Sequence, residues 1–148
     1  YYYKPFSDIM KCSYTVETAP DRKSVSVNLA NLTPCDQIKP PGTATHFQFF
    51  LSIGVVCDMV FSPEYCDFKL AYGPPQFYGK GREIESEWIP VDAQAMGDIT
   101  LTAAIPDAFN LKEDMTVLRM FGIVFGRMTS RVDPIAKDRG SCEFLGAI

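Results

Sequence analysis

One histidine, five cysteines and 18 acidic residues are the side chains of this 148-residue chain from which hydrolytic, thiol or metal chemistry would be built. His46 stands between Thr45 and Phe47 in a run that reads as a strand. A hydrolytic triad needs a nucleophile and a carboxylate placed beside the imidazole, and zinc needs several His or Cys ligands, so His46 reads as structural or solvent-facing. Cys57 and Cys66 flank Asp-Met-Val-Phe-Ser-Pro-Glu-Tyr, a spacing at which a hairpin could bring the two thiols into disulfide range. The competing reading is a pair of small buried hydrophobes. A bridge would mark an exported protein and favour an extracytoplasmic or cell-surface location. Cys12, Cys35 and Cys142 complete an odd number at irregular spacing with no Cys-x-x-Cys, which is not a disulfide scaffold. Glu83, Glu85 and Glu87 alternate along a strand and read as the wet side of a sheet. Asp107, Asn110, Glu113 and Asp114 are rich in oxygen but do not follow the spacing of an EF-hand loop. No arrangement demands a reaction, a metal or a cofactor, and the expectation is a non-enzymatic protein.

The aromatic residues point to binding. Tyr72, Phe77, Tyr78 and Trp88 fall in or beside a loop, where a ring exposed next to polar groups makes a stacking platform for a sugar or an anchor for a protein. They form the candidate binding patch, with Trp88 its best member. The alternative is that these rings cover the end of the fold.

Strands must position such a patch, because no stretch shows a sustained helical period. Residues 10–16 alternate, with Met10, Cys12, Tyr14 and Val16 on one face, and Val25, Val27 and Leu29 continue the alternation after a turn at residues 19–23, which predicts a hairpin. Prolines make residues 33–42 a loop. Two long runs, residues 42–56 and 115–125, are rich in aromatic and β-branched residues and read as central strands buried on both faces, each in its own sheet. Gly54 marks a bulge or a bend. Residues 66–72, 83–91, 99–105 and 142–148 read as further strands, with 83–91 at an edge because Pro90 cannot donate to a ladder. The loop at residues 73–81 has the strongest chain-breaking composition, and residues 106–114 have room for one helical turn.

Seven to nine short strands predict an all-β fold, a two-sheet antiparallel β-sandwich of the immunoglobulin or fibronectin-III kind, with a closed β-barrel as the competing geometry. A length of 148 residues fits one domain spanning 1–148, and 47% hydrophobic with 22% charged residues is an ordinary globular composition. The chain begins at Tyr1 without a signal-like apolar stretch, which reads as a trimmed product or a fragment of something longer. Nucleic acid is not an expected partner, because the net charge is −4 and the 14 basic residues are scattered. No run is apolar and long enough to be a transmembrane segment.

The residues Gly-Thr-Ala-Thr-His-Phe at 42–47, Asp-Ile-Thr-Leu-Thr-Ala-Ala-Ile-Pro at 98–106, Phe-Gly-Ile-Val-Phe at 121–125 and the short terminal strand form a succession that resembles uncharacterised immunoglobulin-like β-sandwich proteins of Bacteroidetes-type bacteria. The resemblance covers residues 42–148. It implies a sandwich fold and non-enzymatic character, and it carries no site residue across. Two function classes follow. The first is a structural or interaction module, of a bacterial surface or a phage assembly, that binds a protein or a glycan through its loops. The second is a small-ligand-binding β-barrel or an enzyme with a loop-gated cavity.

Overall fold

A computed structural model of the chain describes residues 4–70, 81–134 and 140–148. The strands are β1 (Tyr14–Thr18), β2 (Ser24–Leu32), β3 (His46–Val56), β4 (Met59–Ser62), β5 (Asp67–Leu70), β6 (Gly81–Glu85), β7 (Ile89–Pro90), β8 (Gly97–Ala104), β9 (Thr116–Met128), β10 (Val132–Pro134) and β11 (Ser141–Ala147). Two four-residue helical turns, α1 (Phe6–Ile9) and α2 (Pro34–Gln37), lie between and before them. Proline at the start of α2 fits this position, since its missing N–H would have no partner in the first turn.

Two antiparallel sheets pack face to face as a β-sandwich. The smaller has the order β1-β2-β8, and alternation explains it: Val25, Val27 and Leu29 of β2 point inward with Leu101 and Ala103 of β8, while Ser26 and Thr102 meet on the outside at 2.8 Å. The predicted hairpin of β1 and β2 is present, with Tyr14 opposite Leu29, although regular pairing starts at Tyr14 and Met10 instead bridges to Ile38. The larger sheet has β3 and β9 at its centre. β10 and β11 share the far side of β9, and β6 and β7 share the far side of β3. β4 and β5 form a separate two-stranded hairpin, and the eleven strands among the described residues exceed the seven to nine expected, because the strands flanking β3 and β9 are each broken in two.

The two long runs are neighbours in one sheet, not the centres of two. They pair antiparallel along their whole length, from His46 opposite Gly126 to Val56 opposite Thr116. Only one face of each is buried in the core. Phe47, Phe49, Leu51 and Ile53 of β3 and Val117, Phe121, Ile123 and Phe125 of β9 are sealed against the smaller sheet. Gln48, Phe50 and Ser52 of β3 and Leu118 and Val124 of β9 have the opposite parity, point away from the core and are only partly covered. The apolar character of both parities therefore comes from a core face and a second, outer face.

Residues 83–91 lie on the edge of the larger sheet, as expected, but not as one strand. The pairing of β6 puts Glu85 opposite Phe50, whereas β7 puts Pro90 opposite His46, a shift of one residue. A bulge at residues 86–88 absorbs it. Ser86 holds this bulge: its Oγ accepts the Phe49 N–H at 3.0 Å and donates to the Glu87 carbonyl at 2.9 Å, and Gln48 Nε2 donates to the Ser86 carbonyl at 2.7 Å. The side-chain parity flips across the bulge. Ile84 and Ile89 thereby sit on the core-facing side although they are five residues apart in sequence, and Trp88 turns outward.

Polar clamps join the two sheets on the side of β1 and β11. Arg119 donates to Thr18 Oγ1 and to the Leu145 carbonyl, both at 2.8 Å, tying β1 to β11. Tyr14 donates a hydrogen bond to Glu143 across the same edge. Partial burial, that bond and the Glu143 charge together push the Tyr14 phenol well above its ordinary value of 10.0. At the other end Arg22, which adopts φ 62 in the β1–β2 turn, donates to the carbonyls of Met115 at 2.7 Å, Ile148 at 3.0 Å and Lys112 at 2.8 Å.

Candidate docking face

Geometry on the outer face of the larger sheet starts from its glycines. In register, Gly54 of β3 pairs with Gly81 of β6 and with Leu118 of β9, while Gly122 and Gly126 of β9 pair with Phe50 and His46 of β3. Paired residues share a face, so all four glycines open the same outer surface. Two of them are roofed by rings. A Cβ on Gly122 would lie 2.5 Å from Phe50 Cε1, and a Cβ on Gly126 would lie 2.8 Å from Trp88 Cζ3 and 2.7 Å from Val132 Cγ1. The rings of Phe50 and Trp88 thus rest on the backbone of β9, which only residues without side chains permit.

At the other two glycines the atoms of the described residues nearest to where a Cβ would stand are backbone, not side chain. Gly54 and Gly81 form the floor of a shallow cavity of ≈380 Å³, bordered by Ser52, Leu118, Met120 and Phe144. Met120 is 37% exposed and Phe144 is 57% exposed. These two are opposite each other on β9 and β11. On the β6 side, Glu83 and Glu85 share the outer face, and Ser52 Oγ donates to Glu83 Oε2 at 3.1 Å, holding that carboxylate at the cavity rim. Among the described residues the one ion pair is Arg131 with Asp133, at the opposite end of β9, so neither glutamate is paired there with a cation.

The sequence-derived candidates fare differently. Trp88 stands in the three-residue connection between β6 and β7 and is half-buried on this outer face, where its ring covers Gly126. Tyr72, Phe77 and Tyr78 lie outside the described residues. Cys57 and Cys66 are both free thiols. The reason is register: β4 and β5 pair from Met59 opposite Leu70 to Ser62 opposite Asp67, so the hairpin forms but puts Cys66 in its tip and Cys57 before its first strand. Cys66 adopts φ 49 there and is exposed. The alternative reading of buried hydrophobes fails for it as well. Of the glutamate stripe, Glu83 and Glu85 stay together and the bulge removes Glu87. His46 lies on the outer face with Nδ1 2.9 Å from Thr45 Oγ1. Among the described residues no group of three His, Cys, Asp or Glu could hold a metal ion, and no helix is long and apolar enough to cross a membrane.

Leu118, Met120, Phe144 and the glycine floor escape a reading that takes both long runs as buried on two faces. A signal was present in Gly122 and Gly126, four residues apart and so on one parity of β9, each answered across β3 or its edge by a ring. Among the described residues the fold is a β-sandwich whose larger sheet has a glycine-floored outer face with exposed Met120 and Phe144. Compared with known protein families, curated proteins and solved structures, the chain matches none of them.

Proposed function

We propose that this chain is a non-enzymatic interaction module, a rigid sandwich that docks another polypeptide on the outer face of its larger sheet. The observation that carries the reading is the combination of exposed Met120 and Phe144 with the uncovered Gly54 and Gly81 floor. An exposed apolar patch on a sheet face is covered most economically by another chain. The reading keeps a protein partner from the earlier expectation and moves recognition from the loops to the sheet. Such a module fits the expected setting of a bacterial surface or a phage assembly.

Peroxide oxidation of methionine tests this. Met120 on the docking face and Met96, 45% exposed beyond the smaller sheet, are comparably accessible in the isolated chain and should oxidise at similar rates. In material taken in its natural assembly, Met120 should be protected about tenfold while Met96 is not. Equal oxidation of both in the assembly would refute the docking face.

A further inference from the structure

The uncovered glycine cavity says more about the partner than that it is apolar. We propose that the cavity over Gly54 and Gly81 receives an apolar side chain of an extended partner segment, and that Glu83 and Glu85 hold a neighbouring lysine or arginine of that segment. This inference rests on the docking reading and adds the chemistry of what docks.

Three features carry it. Glycine backbone, Leu118, Met120 and Phe144 make the apolar part of the lining, which Ser52, Arg82, Glu83 and Arg119 complete, so a side chain set on that part gains by leaving water and loses if it brings hydroxyl groups. A glycan would strand its hydroxyls against Leu118 and Met120, which favours a peptide side chain. Arg82 and Arg119 also border the cavity, but both pair with Ile53 on the core-facing parity, and Arg119 donates to Thr18 and Leu145. The charged side chain that register puts on the outer face here is Glu83, held by Ser52, with Glu85 two residues along the same strand and on the same side. Successive residues on one face of a strand are about 6.6–6.8 Å apart, a spacing that an extended partner reproduces with its own alternate residues. Finally, β6 is the edge lane of the sheet, paired among the described residues with β3 alone. A segment can therefore approach the two glutamates and the cavity from the open edge. Charge complementarity of this kind sets orientation and partner choice more than total affinity.

Amide chemical-shift mapping by NMR with defined probes tests the proposal. The probes are three capped six-residue peptides of alternating sequence, Phe with Lys, Phe with Glu and Ser with Lys, together with a linear six-glucose oligosaccharide. The Phe-Lys peptide is expected to shift the amides of Ser52, Gly54, Gly81, Met120 and Phe144, and to bind about tenfold more tightly than the other two peptides, an advantage that shrinks with added salt. The double variant E83Q/E85Q should lose about fivefold of that affinity, the range that two exposed ion pairs supply, while its melting temperature stays unchanged. Equal binding of the Phe-Glu peptide, no effect of E83Q/E85Q, or a preference for the oligosaccharide would each overturn the basic partner. If Met120 is nevertheless protected in the natural assembly, the docking face stands and only its partner chemistry falls. If it is not protected, both readings fall.

Discussion

Phe121→Ala is expected to destabilise the fold by about 3–5 kcal/mol, the largest effect of any single truncation in the core. Phe121 is fully buried, and its ring centroid lies 5.4 Å from that of Phe6, 5.1 Å from that of Tyr14 and 5.5 Å from that of Phe49. One side chain thus joins α1, β1 and β3 to β9. Removing it leaves a cavity that three elements cannot all close, because each is also held by its own ladder or clamp. Chemical denaturation checks this: the midpoint should fall sharply with little change in slope. A loss below about 1 kcal/mol would mean that the ring is not in the core.

Gly122→Val is expected to cost about 3 kcal/mol, at the upper end of the overpacking range. The added Cβ would meet Phe50 Cε1 at 2.5 Å and the Ser141 carbonyl oxygen at 2.8 Å. The ring can rotate away. The carbonyl belongs to the β9–β11 ladder and cannot move without disturbing the pairing of Ser141 with Ile123. Hydrogen exchange should therefore show loss of protection concentrated in β11, while β1 and β2 keep theirs. Uniform loss across both sheets, or none, would contradict the close packing described here.

The sandwich was legible in the sequence because period-two alternation is a direct consequence of having one buried and one wet face. Val25, Val27 and Leu29 show it cleanly, and the β1–β2 hairpin followed. The partnership of β3 and β9 was not legible. Pairing between runs separated by some sixty residues leaves no local mark, and the apolar outer residues Phe50, Leu118, Met120 and Val124 imitate the pattern of a strand buried on both sides. The bulge at residues 86–88 was hidden for a different reason. Ser86 substitutes a side-chain oxygen for a backbone acceptor, and nothing in residue type distinguishes that from an ordinary strand serine. Parity beyond it was consequently read one residue out of step, which kept Glu87 with Glu83 and Glu85. The disulfide expectation failed on register alone. A hairpin between Cys57 and Cys66 does form, and its turn falls where the two thiols are not opposite each other.

A photoreactive phenylalanine analogue at position 144 gives the most direct test of the docking face, with the same analogue at Thr100, exposed on the outer side of the smaller sheet, as reference. After irradiation of the chain in its natural assembly, the account predicts that position 144 joins to another polypeptide through an apolar residue flanked by lysine or arginine, and that position 100 forms no such adduct. Adducts at position 100 with none at position 144 would show that partners meet the opposite side of the sandwich, and would contradict the account.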